Sequence, residues 1–460
     1  MTMIKKELTS TISIALLMAF RMLGMFMILP IFSLQASHIP GATPTLIGIA
    51  LGSYGLTQAI LQIPFGALSD RIGRKPIIAF GLILFIIGSI VAANAHTIYG
   101  IIIGRAMQGS GAIGSTCLAL LADLTRDQHR SKAMALVGMT IGLSFSIAIV
   151  IGPILNHYFA LTGIFYTTAI LGFLALMLLF TTIASPPSWS NDTDTIKIQR
   201  SYKKVLQNKQ LLRLDFGIFC QHAMLTSFFV ALPFIFSHNL QLSSHQQTIT
   251  YLIVLGLAFI FSIPLIILAE KYRQMKPVFL SAIATLAITS VLFIFTTTSH
   301  LGVTILLFLF FCAFSLLEAC LPSLVSKISS IHNKGMAMGV YSTSQFFGIF
   351  VGGSAAGWIY GNYATTGVLI FMLTLGVLWL IFASNMAQPP YLSTLIYKAP
   401  SHLKQTTKLI DQLKSMNGVF DAVLSTKEQL IYTKVDKKII DINELRNTIE
   451  ACSLAKGKTS

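Results

Sequence analysis

Four charged residues crowd into six positions of the stretch FGALSDRIGRKP, Phe65 to Pro76: Asp70, Arg71, Arg74 and Lys75, with Gly73 among them. They stand between two long apolar runs. An acid set among cations at such a junction is suited to an electrostatic clasp, which Asp123 and Arg126 at the end of a later run can join. Arg21, Arg105 and Glu318 are different, because they lie within apolar runs. In a membrane such a charge costs about 2.5–3.5 kcal/mol at the centre of a span and normally faces a partner or a wet cavity. Glu318 is the one acid well inside a run, so it is a candidate proton carrier, a fixed ion pair being the alternative. His222 is a second titratable candidate, with a buried histidine satisfied by a hydroxyl as the plainer reading. Tyr54, Gln58, Gln62 and Gln345 are neutral polar groups able to line a substrate path or to bond helix to helix.

The elements that hold these residues follow from composition. The 460 residues are 54% hydrophobic and only 10% charged, against about 25% charged in soluble domains. So few charges cannot cover a water-facing surface, and lipid must be the solvent for most of the chain. The net charge of +16 suggests nucleic acid, but its distribution argues against that partner. Residues 391–460 hold 11 of the 32 Lys and Arg, and most of the rest lie in loops between apolar runs. The five cysteines (Cys117, Cys220, Cys312, Cys320 and Cys452) show no metal-ligand spacing, so no metal or cofactor is expected. Lys5 and Lys6 precede an apolar run, yet no small-residue cleavage site follows, which reads as a first span and not a signal peptide.

A membrane helix needs about 20 mostly apolar residues. Apolar runs predict twelve spans, near 10–33, 43–67, 76–95, 98–122, 133–155, 159–184, 213–236, 248–269, 277–297, 303–325, 336–360 and 366–385. The odd-numbered loops between them contain no Lys or Arg, and every even-numbered loop contains some. Because Lys and Arg mark cytoplasmic loops, both termini and all even loops are predicted to be cytoplasmic.

The second span ends Ile63-Pro64-Phe65-Gly66-Ala67-Leu68-Ser69-Asp70-Arg71, and the eighth ends Ile263-Pro264-Leu265-Ile266-Ile267-Leu268-Ala269-Glu270-Lys271. Cys117-Leu118 and Lys132-Ala133-Met134-Ala135 are echoed by Cys320-Leu321 and Lys334-Gly335-Met336-Ala337. Two six-helix halves related by a parallel repeat are the plan of a transporter that rocks about a central site. The expected division is 1–184 for one half, 213–388 for the other, and a linker at 185–212. In that linker Ile198, Tyr202, Val205 and Leu206 share a helical face opposite Arg200, Lys203 and Lys204, as in a helix lying on an anionic leaflet. Small-residue stripes, Gly138/Gly142/Ser146 and Gly348/Gly352, predict close helix packing.

After Pro389-Pro390 the composition turns polar and basic. Strands are predicted at 392–398, 419–424 and 430–435. Helices are predicted around Leu403, Ile410 and Leu413, and from Asp441-x-x-Glu444 through Leu445, Ile449 and Cys452. This β-α-β-β-α order suggests a small α+β ferredoxin-like domain over 391–460 with its last strand short or missing. It resembles heavy-metal-associated domains, but Ala399 to Lys404 lacks the two cysteines of their metal loop and His402 alone is a poor site. A docking or regulatory module, bound to the transporter itself or to another partner, is the expectation.

The opening stretch resembles the loop signature of the major facilitator superfamily, with Gly66, Leu68, Asp70, Arg71, Gly73, Arg74 and Lys75 all fitting. Gly104 to Ala112, GRAMQGSGA, resembles the family's fourth-span motif, with Arg105 in its arginine position. Gly138, Gly142, Gly152 and Pro153 resemble the fifth-span motif of proton-coupled drug antiporters, with Asn156-His157 where a glycine pair is usual. Arg21 to Pro30, Gly339 to Phe347 and the appended domain resemble a bacterial inner-membrane branch of the family. The resemblance covers essentially the whole chain. It implies an all-α membrane protein of twelve spans, not an enzyme, in a bacterial inner membrane, most often monomeric. It further implies export of small amphipathic compounds against protons, with Asp70 close to the start of the eleventh span. Proton-coupled import of a nutrient, or a receptor without transport, remain open on the residues themselves.

Overall fold

A computed structural model describes residues 3, 5–184, 205–329, 334–388, 393–399, 403–425, 430–436 and 439–454. The predicted surface helix of the linker lies outside these residues, apart from Val205, which is buried, and Leu206, which is exposed. The Pro389-Pro390 junction, most of the Ala399–Lys404 loop and the chain end after Leu454 lie outside them too.

The membrane part is helical throughout. It runs α1 (Lys5–Phe26), α2 (Phe32–Ala36), α3 (Pro44–Ile72), α4 (Arg74–Ala93), α5 (Ile98–Ser110), α6 (Gly114–Leu124), α7 (Asp127–Thr181), α8 (Lys209–Phe234), α9 (Ser244–Lys271), α10 (Met275–Thr296), α11 (His300–Ile328) and α12 (Lys334–Ser384). Local chemistry sets the starts. Thr43 caps α3 by accepting from the Leu46 amide, with Pro44 next, where its missing N–H is no loss. Ser243 and Gln246 form a capping box on α9. Among the described residues nine helices are long and apolar enough to cross a membrane.

Two of the nine are not single rods. α7 has 55 residues and α12 has 51, which as straight helices would reach roughly 80 Å, against about 30 Å of hydrocarbon. Each breaks at one alanine of positive φ: Ala160 (φ 54°) and Ala364 (φ 50°). The chain reverses there. Gly152 and Thr168, equally far on either side of Ala160, both meet α1 within one turn. Gly152 lies on the Met27 carbonyl, and the Thr168 hydroxyl donates to the Gly24 carbonyl at 3.3 Å. Likewise Gly352 and Gly376, equally far from Ala364, meet Ala223 and Met224 of α8. The turns share a sequence, Phe159-Ala160-Leu161-Thr162-Gly163 and Tyr363-Ala364-Thr365-Thr366-Gly367. In both, the glycine lies against the Cβ of the aromatic residue before the alanine. This repeat was not among the echoes read from the sequence.

Two predicted spans differ in detail. The first ends early: α1 stops at Phe26, and a turn through Pro30 leads into α2. The fourth is interrupted between Ser110 and Gly114, because Gly111 packs its backbone onto Gly81 of α4 and the Gly-Ser-Gly run has poor helix propensity.

α1 packs on α7, α3 and α4 pack on α5, and α8 packs on α12. Contacts across the chain's midpoint run between α3 and α12 and between α7 and α9. At the end of α3 that carries Pro44, backbones touch. Gly48 faces Gly353 and Gly357, Gly52 faces Phe350, and Gly55 faces the Phe346 carbonyl. At the opposite end, Cβ atoms added to Gly138 and Gly142 of α7, or to Gly335 and Gly339 of α12, would meet nothing within 4 Å. The Gly348/Gly352 stripe therefore packs as predicted, on the Phe219 and Ala223 carbonyls of α8. The Gly138/Gly142 stripe does not pack on a neighbour, since added Cβ atoms there would meet nothing within 4 Å.

The tail forms a three-stranded antiparallel sheet in the order β1 (Ser393–Lys398), β3 (Leu430–Val435), β2 (Val419–Ser425), with α13 (Leu403–Ser415) and α14 (Ile442–Leu454). Leu409, Leu413, Ala422, Ile431, Val435, Leu445 and Ile449 make its core. It is docked on the membrane part. Arg273, after α9, holds Asp436 through two contacts of 2.6 and 3.1 Å. The Lys434 ammonium donates to the carbonyls of Ser326 and Ser329 at the end of α11, at 3.2 and 2.8 Å.

The close contact of α3 and α12 yields a test. A Cβ at Gly52 would sit 2.8 Å from the Phe350 carbonyl oxygen. Gly52→Val should therefore cost about 1–3 kcal/mol through overpacking and lower the thermal unfolding midpoint of detergent-purified protein. Gly138→Val, facing open space, should leave that midpoint unchanged.

Candidate functional site

Three polar clusters occupy the bundle. The first sits where α3 ends and α4 begins. Gly73 takes φ 108°, a conformation side chains resist, and its amide returns to the Ser69 carbonyl at 3.1 Å. That sharp turn brings Arg74 back over the last turn of α3. Its guanidinium contacts Asp70 at 2.6 Å, donates to the Ser69 hydroxyl at 2.7 Å, and reaches Asp123 at the end of α6 at 3.1 Å. Gly66 faces α6, where a Cβ would meet the Ser115 hydroxyl at 3.4 Å, an ordinary contact. Arg74 is thus the hub joining three helix ends. Arg71 is exposed. Residues 330–333, just before the predicted eleventh span, lie outside the described residues.

Arg126 makes its strongest described contacts elsewhere than at that hub. It grips Glu7 of α1 instead, through Nε at 2.7 Å, Nη2 at 3.0 Å and its own backbone amide at 3.0 Å. The His129 ring is 3.1 Å from the same carboxylate. Glu7 is buried and ties the start of α1 to the start of α7. Sequence reasoning missed Glu7 and His129: Glu7 stands among flanking lysines and looks like ordinary solvated charge.

The second cluster fills the core of the first half of the chain. Arg21 of α1 and Arg105 of α5 are both buried, and their guanidiniums lie 5.8 and 5.0 Å from the ring centre of Tyr54 on α3. Arg21 donates to the Gln58 side-chain carbonyl, and Gln58 donates on to Gln62 at 2.9 Å. Arg105 donates to Gln108 at 3.0 Å, and Gln108 to the Ser89 hydroxyl at 2.8 Å. Every anchor here is neutral. Arg21 Nε and Nη1, Arg105 Nε and the Tyr54 hydroxyl have no hydrogen-bond partner among the described residues.

The third cluster belongs to the second half. Glu318 of α11 accepts from Gln221 of α8 at 3.0 Å and lies 3.9 Å from the His222 ring. Gln345 of α12 donates to His222 Nε2 at 2.9 Å. Gln345 therefore joins Glu318 and His222, away from Tyr54, Gln58 and Gln62. Glu318 keeps 32% of its side-chain surface exposed, while His222 keeps 2%. Asp215, two helical turns before His222 on α8, is buried with both oxygens unpartnered among the described residues. Sequence reasoning passed over Asp215 because it lies near a span end, beside Arg213. The two clusters meet at a ring contact, Tyr54 to Phe346 at 6.3 Å.

The fifth-span motif divides between the two ends of the bundle. Gly138 and Gly142 face open space, whereas Gly152 and Pro153 lie in the packed region against Met27 and Pro30.

Comparison with known proteins gives a consistent picture. The family model described as Major Facilitator Superfamily matches residues 14–214 and 214–410. The chain is 41% identical to the inner membrane transport protein YajR of Escherichia coli over 96% of this chain and 97% of that protein. It is 39% identical to an uncharacterized transporter of Buchnera aphidicola, over 75% of this chain and 89% of the relative. Among solved structures, a D-xylose-proton symporter superposes with a TM-score of 0.66 at 18% identity, covering 85% of this chain and 99% of that one.

The hub geometry separates two neighbouring cations. Arg74→Ala leaves Asp70 and Asp123 without their shared guanidinium and should lower the transport rate by roughly tenfold or more, if the bridge contributes about 1.4 kcal/mol or more to a working conformation. Arg71→Ala should stay within about twofold. Initial uptake rates into proteoliposomes at matched protein density decide it.

Proposed function

The chain belongs to the Major Facilitator Superfamily, a multi-pass secondary transporter of small molecules and not an enzyme, and we propose that it exports small amphipathic compounds in exchange for protons. Glu318 carries this reading. It is a half-open carboxylate inside a span, hydrogen-bonded by a neutral glutamine and close to a histidine that Gln345 holds in place. No Lys or Arg pairs with that carboxylate among the described residues; its partners are an amide at 3.0 Å and an imidazole at 3.9 Å. The resemblance of Gly138, Gly142, Gly152 and Pro153 to the fifth-span motif of antiporters supports export over import.

The working cycle follows from the two ends of the bundle. Each hairpin counts as two spans and α5–α6 as one broken span, which brings the nine apolar helices to twelve. The units are 1–184, the linker 185–212, 213–388, and a ferredoxin-like tail over 391–460. The alternation of Lys and Arg puts the Asp70 end, both termini and the tail in the cytoplasm. With that orientation the glycine contacts of α3 and α12 close the outer face, and the gap around Gly138 and Gly339 opens inward. Rocking of one half on the other exposes Glu318 and the polar residues beside it to each side in turn. The Asp70–Arg74–Asp123 hub holds the inner ends of the first half as one piece. The tail rides on the second half through Arg273 and Lys434. The transporter works as a monomer in a bacterial inner membrane.

Glu318→Gln tests the coupling. The amide keeps the volume and still accepts from Gln221, but it cannot release a proton. Gradient-driven flux into inverted vesicles should fall to background, while exchange without a gradient continues. Wild-type gradient-driven accumulation by a stably folded Glu318→Gln protein would remove Glu318 from the mechanism.

A further inference from the structure

The two polar clusters carry opposite charge, and nothing described in the first half balances its own. Arg21 and Arg105 sit on different helices and share the ring of Tyr54. Their partners, Gln58 and Gln108, are neutral and in turn bonded to Gln62 and Ser89. Among the described residues neither guanidinium forms an ion pair. The carboxylates deep in the bundle, Glu318 and Asp215, belong to the other half.

Two like charges in a water-poor core repel each other, and each carries a desolvation cost that only a counter-charge offsets. Their free hydrogen-bonding capacity is specific. Arg21 Nε and Nη1, Arg105 Nε and the Tyr54 hydroxyl are buried donors without acceptors among the described residues. Guanidinium N–H groups make strong charge-assisted hydrogen bonds to carboxylate oxygens. The cluster meets an aromatic ring of the second half where Tyr54 lies 6.3 Å from Phe346. That contact lies at the inner limit of the α3–α12 glycine interface, where Gly55 meets Phe346. It is the place that opens when the halves part.

We infer that Arg21, Arg105 and Tyr54 form the subsite for an anionic group of the substrate, which is therefore an amphipathic organic acid bearing a carboxylate, its apolar part lying along Tyr54 and Phe346. This deepens the transport reading and rests on it. It also divides the labour between the halves, with the substrate anion held by the first and the exchanged proton by the second.

The test uses full-length protein in detergent and follows thermal unfolding at constant ionic strength. Ligands are a series of monocarboxylates from acetate through octanoate to benzoate and naphthoate, with tetraphenylphosphonium as the amphipathic cation. The larger carboxylates should raise the unfolding midpoint saturably, and the cation should not. Arg105→Gln should weaken the half-saturating concentration by roughly tenfold or more, as expected for a lost charge-assisted bond. Tyr54→Phe, which removes only a hydroxyl, is the fallback if Arg105→Gln does not fold, and should weaken it several-fold. A saturable shift by tetraphenylphosphonium alone, no shift by any carboxylate, or carboxylate shifts unchanged in both variants would each overturn the subsite. Proton-linked flux in vesicles is measured alongside. Flux that persists while the carboxylate effect is absent removes the subsite and leaves the transporter reading standing. A carboxylate shift without flux of those acids does the reverse.

Discussion

Between Pro44 and Gly55 the backbone of α3 lies directly on that of α12, and much of the rest depends on that approach. Lipid tails are as apolar as the helices, so burying apolar surface does little to drive helices together there. Association relies instead on close backbone packing at small residues. Gly48, Gly52, Gly353 and Gly357 supply it on both sides of the contact. At the other end, Cβ atoms at Gly138, Gly142, Gly335 and Gly339 would meet nothing within 4 Å. Tyr54 and Phe346 stand at the boundary between these regions. A transporter that alternates must be able to unmake such a contact. Backbone packing at glycines has little interlocking side-chain structure to disentangle.

Charge is arranged around that seam by half. The first half buries two arginines among glutamines, a serine and a tyrosine. The second holds a half-open glutamate and a buried histidine beside glutamines, and a buried aspartate two turns away. In a medium where unpaired charge is expensive, segregation of this kind is not what stability selects, since the opposite charges would be most stable in contact. Charges meant only to hold helix ends together behave differently. Asp70, Arg74 and Asp123, and Glu7 with Arg126, are paired at 2.6–3.1 Å near the water boundary.

Much of this was legible in the sequence. Apolar runs gave the expected number of spans and the alternation of Lys and Arg their expected orientation, and the strand and helix order of the tail emerged from its apolar period and from the Asp441-x-x-Glu444 helix start. Arg21, Arg105, His222 and Glu318 stood out because a charged or titratable group in an apolar run is costly. What the sequence hid were pairings and breaks. Arg126 is close in sequence to Asp123, yet Glu7 reaches it from the far end of the half, and only tertiary structure brings the two together. Asp215 was masked by its neighbour Arg213. The reversals at Ala160 and Ala364 fall within a few residues of the expected span ends at 155/159 and 360/366. The shared aromatic-Ala-x-Thr-Gly pattern marks both turns, though alanine itself is a strong helix former. The interruption after Ser110 was announced by Gly-Ser-Gly, but an apolar run conceals it when only hydropathy is counted.

The central claim is that the sealed and unsealed ends exchange roles under the control of Glu318. Spin labels report this directly, placed in a cysteine-free background at Gly138 and Gly339 on the open end and at Ser37 and Asn362 on the sealed end. Pulsed dipolar spectroscopy in nanodiscs across a pH series measures both distances. The account predicts that the Gly138–Gly339 distance shortens as the Ser37–Asn362 distance lengthens, with the populations moving with pH in the wild type and not in Glu318→Gln. Distances that stay fixed, that change in the same direction, or that respond to pH equally in Glu318→Gln would contradict it.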